Sequence, residues 1–126
     1  MKTKKNKKIA VFGGSGFLGN LLIKFLTKMD IEIILFTRKV SPEKLIKKYK
    51  LNSNIKIINW NMNNYELIEN NILDVDCIIN LCGILYENKH GDFFRVHSDL
   101  PALLGKLSIK NKINKLIHVS ALGVSE

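Results

Sequence analysis

Residues 9–19, which read IAVFGGSGFLG, decide the fold of this chain. Four apolar residues predict a buried strand, the glycines predict a tight turn, and the apolar spacing that follows predicts a helix over residues 17–29. Gly13 suits a turn too tight for a Cβ, and Gly16 allows backbone amides to approach phosphate oxygens. Gly19 allows the helix to lie close to the strand.

This glycine spacing is typical of a turn that holds the pyrophosphate of a dinucleotide at a helix N-terminus. A plain structural turn is the alternative, because similar turns join strands and helices in proteins that bind no nucleotide. A second predicted strand, residues 31–36, completes a βαβ unit and favours the nucleotide interpretation. The residues predicted to contact the dinucleotide here are Gly13, Gly14, Ser15, Gly16, Phe17, Leu18 and Gly19.

Strands and helices alternate along the whole chain. The predicted strands are residues 9–12, 31–36, 55–60, 77–82 and 116–119, and the predicted helices are residues 17–29, 42–50, 65–71 and 93–110. This alternation predicts an α/β fold of the Rossmann-like, three-layer α/β/α kind, with five parallel strands in the order 3-2-1-4-5. Asn63 and Asn64 are candidates to cap the third helix, and Pro101 is expected to kink or split the last one.

Length and charge restrict the possible functions. The 126 residues, 46% of them hydrophobic, suffice for one domain, predicted over residues 9–126. The net charge of +9 includes a lysine-rich head, residues 1–8, which we expect to be disordered. Because the chain has only two arginines and lacks interleaved aromatic side chains, we expect no nucleic-acid partner.

Cysteine usage and hydropathy favour a reducing compartment. Cys77 and Cys82 are predicted in one strand with side chains on opposite faces, so they cannot pair within it. No apolar stretch approaches the length of a membrane span, and the apolar run after the head is too short for a signal peptide. The expected location is the cytoplasm, with a peripheral position at the inner face of a membrane as the alternative.

The end of the second predicted strand indicates which dinucleotide is preferred. In this architecture a ligand lies across the carboxyl ends of the strands, and a carboxylate after the second strand would bind the ribose 2′-OH of NAD. This chain has Arg38 and Lys39 there instead, and such cations suit a 2′-phosphate. The sequence therefore predicts NADP(H) in preference to NAD(H), unless both cations are only solvated loop charges.

The remaining strand ends supply further candidates for binding. An amide and a thioether after the third strand suit adenine, although asparagine-rich turns are common for local reasons. The fourth strand ends in a glycine turn that would line the ribose, or would be a turn and nothing more. A serine follows the fifth strand, but no base is spaced to activate it as a nucleophile. These candidates are Asn61, Met62, Leu81, Cys82, Gly83 and Ser120.

Three segments, VFGGSGFLG (11–19), INLCGILY (79–86) and LIHVSALG (116–123), resemble the extended and atypical short-chain dehydrogenase/reductase superfamily. Within it, the chain is most similar to the NAD-dependent epimerase/dehydratase-like group related to the NADPH-binding accessory subunit of respiratory complex I. The likeness runs from about residue 8 to the end of the printed sequence. It implies pyrophosphate contacts by Gly13, Gly16 and Gly19, an adenosine-phosphate contact by Arg38, adenine contacts by Asn61 and Met62, and a path to the nicotinamide lined by Leu81, Cys82, Gly83 and Ser120.

The resemblance also implies a catalytic tyrosine followed four residues later by a lysine, and this pair is missing from the printed sequence. The residues four positions after Tyr49, Tyr65 and Tyr86 are Ser53, Glu69 and His90. Leu122 stands where active members carry a hydroxyl side chain. Without the tyrosine, general acid catalysis is lost, so we expect cofactor binding without catalysis by this chain itself.

The superfamily's tyrosine and lysine are expected after the fifth strand, and the sequence ends at Glu126 before reaching them. We therefore expect a chain truncated relative to the family, with an open edge at the fifth strand. Two other functions stay open. One is a docking or assembly subunit of a membrane respiratory complex, with the missing C-terminal half as another candidate partner. The other is a non-functional fragment of an oxidoreductase or epimerase.

Overall fold

A computed structural model of the chain describes residues 7–14, 17–38, 43–44, 47, 54–61, 63–82 and 98–119. Five parallel strands within this part form one sheet in the order β3-β2-β1-β4-β5, which confirms the predicted order. The strands are β1 (Lys7–Phe12), β2 (Ile31–Thr37), β3 (Ile55–Asn59), β4 (Cys77–Asn80) and β5 (Lys115–His118). Strand β1 therefore lies between β2 and β4, where the order of the sheet reverses.

Three helices cover the sheet within the described residues: α1 (Phe17–Leu26), α2 (Tyr65–Ile72) and α3 (Leu100–Lys110). Pro101 lies in the first turn of α3, as the second residue of that helix. Its expected kink or split stays a prediction, because the structure does not describe the residues before Ser98. Most of the predicted helix 42–50 and residues 93–97 of the last predicted helix lie outside the described residues. None of the described helices is long and apolar enough to span a membrane.

The first strand begins two residues earlier than the sequence predicts, so Lys7 and Lys8 belong to β1 rather than to a disordered head. The backbone N–H of Lys8 donates to the Asp76 carboxylate over 2.9 Å, and the backbone N–H of Asp76 donates back to the Lys8 carbonyl over 2.8 Å. The Lys8 ammonium lies 2.7 Å from Asp74, and this hydrogen bond raises the pKa of Lys8. These contacts fix the start of β1 against the start of β4.

Side chains of the central strands point alternately to the two faces of the sheet, and this divides the hydrophobic core into two layers. Phe12 and Phe36 point to one face, where they pack with α2 and α3, while Val11 and Leu35 point to the other, where they pack with α1. A strand buried on both faces reads as a continuous apolar run, which is why β1 and β2 show no polar alternation. Helix α2 begins where predicted because the Asn64 side chain accepts a 3.1 Å hydrogen bond from the Leu67 N–H.

Candidate functional site

The turn after β1 and the chain leaving β4 touch backbone to backbone. The Leu81 N–H donates to the Phe12 carbonyl over 2.8 Å. Gly13 has a φ of +85°, and a Cβ there would lie 2.7 Å from both the Cys82 nitrogen and the Leu81 carbonyl carbon. Only glycine fits this position, because any side chain would be both strained and overlapped.

Helix α1 starts directly on this turn. A Cβ on Gly19 would overlap the Gly13 carbonyl oxygen and would lie 2.7 Å from the Gly14 carbonyl carbon. The sequence predicts that Gly19 brings the helix close to the strand, whereas the contact it permits is with the glycine turn itself. The glycines thus let main chain pack on main chain at the junction of β1, β4 and the start of α1. A glycine turn before a helix N-terminus is a place where backbone amides can approach an anion.

Asn80, the last residue of β4, links the ends of β4 and β5. It is 1% exposed, and its Oδ1 accepts a 3.1 Å hydrogen bond from the Cys82 N–H. Its Nδ2 therefore faces the Nδ1 of His118, 3.1 Å away. Because Nδ2 can only donate, a neutral His118 carries its proton on Nε2. The Val119 N–H completes the link by donating to the Asn80 carbonyl over 3.0 Å.

Arg38 lies at the same edge, immediately after β2. Its guanidinium carbon is 5.3 Å from the centroid of the Trp60 ring, within the range of a cation–π contact. The Trp60 N–H donates to the Thr37 carbonyl over 3.0 Å, which holds the end of β3 beside the end of β2. No carboxylate in the described part of the chain is recorded as an ion-pair partner of Arg38.

Leu81 and Cys82 lie beside the glycine turn and follow β4, which ends at Asn80 and not at Cys82 as predicted. Both cysteines are free thiols, as expected. Burial raises the pKa of the Cys82 thiol to about 11, and the positive charge of Arg38 opposes this shift. Cys82 is therefore a neutral, packed side chain at neutral pH rather than a nucleophile.

The remaining candidate residues are exposed, make local contacts or lie outside the described residues. Asn61 is exposed, and its side-chain oxygen accepts a 2.9 Å hydrogen bond from the Asn63 N–H, as in a local asparagine turn. Leu18 is 49% exposed, and the structure describes the backbone of Phe17 but not its side chain. The candidates outside the described residues are Ser15, Gly16, Met62, Gly83 and Ser120.

The opposite, amino-terminal edge of the sheet has a different character. A cavity of about 360 Å³ there is lined by polar side chains, including Lys8, Glu32 and Asp74. The ammonium of Lys8 lies 2.7 Å from Asp74 and 3.5 Å from Glu32, so the charges offset one another. No cluster of metal-ligating side chains occurs among the residues that the structure describes. Within the described residues, the carboxyl-terminal edge instead combines the glycine turn with an arginine that forms no ion pair with a carboxylate.

Comparison with known proteins agrees with this architecture. Residues 5–93 match the NmrA-like family. The chain belongs to that family. One relative is the mouse protein named NADH dehydrogenase [ubiquinone] 1 alpha subcomplex subunit 9, mitochondrial, which is 26% identical over 116 residues. The match covers 91% of this chain but 31% of the mouse protein, so the NmrA-like chain spans about a third of that relative's length.

Two solved structures share the fold. A dTDP-glucose 4,6-dehydratase from Bacillus anthracis, solved in complex with NAD, has a TM-score of 0.75 at 23% identity, covering 95% of the NmrA-like chain and 41% of its own. A uronate dehydrogenase from Agrobacterium tumefaciens, complexed with NAD, has a TM-score of 0.73 at 16% identity, covering 93% of this chain and 42% of its own. At these identities the likeness shows the Rossmann-like fold and no more.

Sequence reasoning missed Trp60, Asn80 and His118 as parts of this edge. Trp60 is the last residue of a predicted strand and is typical of the core, so nothing in the sequence predicts the contact between Arg38 and its ring. A polar residue at the end of an apolar strand, as in IIN, is the one available signal for Asn80, because a buried amide requires partners.

Alanine substitutions at Gly19 and Gly105 distinguish a glycine that close packing requires from one that only lowers helix propensity. We expect Gly19→Ala to lower the free energy of unfolding by about 1–3 kcal/mol, because its Cβ meets main chain that cannot move independently. Gly105→Ala is the matched control: no atom lies within 4 Å of its added Cβ, and alanine is the better helix former by about 0.5–1 kcal/mol. Urea denaturation should give opposite signs. Equal destabilisation by both would contradict the close approach.

The Cys82 thiol should react slowly in the folded protein. With a pKa of about 11, about one thiol in a thousand is ionised at pH 8, and the residue is 7% exposed. We expect iodoacetamide to alkylate Cys82 in a Cys77→Ser variant far more slowly than in the same variant unfolded in urea, as followed by mass spectrometry. Equal rates in the two states would show that the thiol is open and ionisable.

Proposed function

We propose that this NmrA-like chain binds a nicotinamide dinucleotide at the carboxyl edge of its sheet, NADP(H) in preference to NAD(H), and does not catalyse a reaction by itself. The observation that carries the proposal is the contact of Gly13 with Leu81 and Cys82, with Gly19 packed on the same turn. Main chain packs directly on main chain at these positions, between the end of β1 and the start of α1. A Cβ at Gly13 or Gly19 would overlap backbone atoms and displace the turn.

The fit between these residues and a dinucleotide is chemical as well as steric. The first amides of α1 lack helical acceptors, and the positive end of the helix dipole favours a pyrophosphate beside them. Leu81 and Cys82 supply an apolar wall beside the glycine turn, and Arg38 supplies the cation for a phosphate on the adenosine ribose. When bound, the dinucleotide would supply hydride transfer. The side chains named in this paragraph would bind and orient the dinucleotide.

The side chains at the carboxyl edge motivate the second half of the proposal. Reduction of a carbonyl needs a proton as well as a hydride, and a positioned acid accelerates that transfer by about 100-fold or more. The Cys82 thiol is buried and Asn80 is an amide, so neither of them supplies such an acid, and the His118 imidazole lies with its Nδ1 3.1 Å from the Asn80 amide. We therefore propose the chain as a binding module.

Titration with the two reduced dinucleotides tests the proposal. We expect saturable enhancement of NADPH fluorescence and a higher melting temperature with NADPH than with NADH, because a ligand that binds the folded state stabilises it. Arg38→Ala should weaken NADPH binding by at least about tenfold and leave NADH binding nearly unchanged, since a charge-assisted hydrogen bond to phosphate is lost. Lys106→Ala, which removes an equal charge from the exposed face of α3, should change neither. Wild-type protein that binds neither dinucleotide would refute the proposal.

A docking role within a membrane respiratory complex is the second candidate function. All four residues of β5 are exposed, and Leu116, Ile117 and Val119 leave 37–41% of their surfaces open. An apolar outer strand is a favourable template for a partner chain. The relative named as a subunit of an NADH dehydrogenase complex suggests what kind of assembly to examine.

Affinity purification tests the docking role. We expect tagged wild-type chain to co-purify with membrane respiratory complex subunits, and Ile117→Lys to abolish this, because a charge in an apolar contact is costly to desolvate. Lys112→Ala, an exposed change just before β5, is the control and should be retained. Recovery of the wild-type chain alone would contradict the docking role.

A further inference from the structure

Arg38 does not extend freely from the end of β2. Its guanidinium carbon lies 5.3 Å from the centroid of the Trp60 ring, and Trp60 is 3% exposed. A cation on the face of a buried indole loses part of its hydration on that side only. A cation–π contact is stronger when its two groups are desolvated, so a buried indole gives Arg38 a stronger contact than an exposed indole would.

The Trp60 ring is itself fixed by the core. Its edge meets the Phe12 ring at 84° with centroids 5.3 Å apart, and Phe12 in turn stacks on Phe36 at 4.2 Å. The backbone of Trp60 is held to Thr37 by the 3.0 Å hydrogen bond between the ends of β3 and β2. The indole therefore has little freedom to move away from Arg38 without disturbing the central strands.

The contact with the Trp60 ring does not use the N–H donors of Arg38. A cation–π contact uses the face of the guanidinium or its charge, whereas its five N–H donors lie in the plane of the group. The positive charge of Arg38 also acts on the Cys82 thiol beside the glycine turn, where it opposes the rise in pKa that burial causes. Within the described residues, its donors have no recorded carboxylate.

We propose that Trp60 is a positioning residue that holds Arg38 ready for a phosphate monoester on the adenosine ribose, and so sets the preference for NADPH over NADH. This inference rests on the proposed function. An arginine in free solution loses considerable side-chain freedom when it is ordered on a ligand. Trp60 restricts that freedom before binding, and this benefits only the ligand that Arg38 contacts. The ribose hydroxyl of NADH gains little from it.

The experiment compares dissociation constants for NADPH and NADH in the full chain and its variants, measured by calorimetry. We expect Trp60→Leu to lower the NADPH preference by about tenfold, and Trp60→Phe to lower it by about threefold, because phenylalanine keeps a weaker π face. Phe36→Leu is the matched control: it alters a fully buried aromatic of the same layer that stacks on Phe12, and should leave the ratio unchanged. In an Arg38→Ala background, Trp60→Leu should have no further effect on the ratio.

The outcomes separate the inference from the function on which it rests. A fall in the ratio with Trp60→Leu and Trp60→Phe, absent from Phe36→Leu, supports Trp60 as a positioning residue. An unchanged ratio in the Trp60 variants, with wild-type binding intact, overturns the inference and leaves the proposed function standing. Failure of the wild-type chain to bind either dinucleotide overturns both. If Trp60→Leu does not fold, Trp60→Phe alone decides, because its buried ring is close in shape to the original.

Discussion

The contact between the turn after β1 and the chain leaving β4 is the constraint on which the rest of this structure depends. Gly13 lies against the backbone of Leu81 and Cys82, and neither side of that contact has room for another carbon atom. The hydrogen bond from Leu81 to Phe12 and the register of Phe12 with Asn80 hold the two strands level at this point. Helix α1, the glycine turn and the amide of Asn80 are all positioned by this one approach.

The sequence predicts the framework well because the framework is determined by local patterns. Apolar runs of four to six residues separated by helices specify a parallel sheet, and the predicted strand order is that of a Rossmann-like fold built around a glycine turn. The start of α2 follows from Asn64, whose side chain needs only its own helix to act as a cap. Similarity to the NmrA-like family and to solved dehydrogenases agrees with the predicted fold.

What the sequence does not predict depends on residues far apart along the chain. Lys8 joins β1 because carboxylates from β2 and from the segment before β4 surround its ammonium, and nothing in the lysine-rich head distinguishes it from its neighbours. Arg38 contacts Trp60, 22 positions later, because the register of β2 and β3 places their carboxyl ends side by side. Pro101 lies in the first turn of α3, and the start of that helix is a boundary that periodicity locates to within a few residues.

Burial differs among the strands of the sheet, and this difference affects where local unfolding requires least free energy. Residues Ala10 to Phe12 of β1 and most of β2 are fully enclosed, whereas every residue of β5 is exposed. Local opening requires least free energy where the fewest apolar groups must be solvated. Amide protons should therefore exchange first along β5 and last along β1, so fluctuations at the outer strand can occur while the glycine turn keeps its shape. Among the described strands, β1 thus leads with its enclosed end directly into the glycine turn of the candidate site.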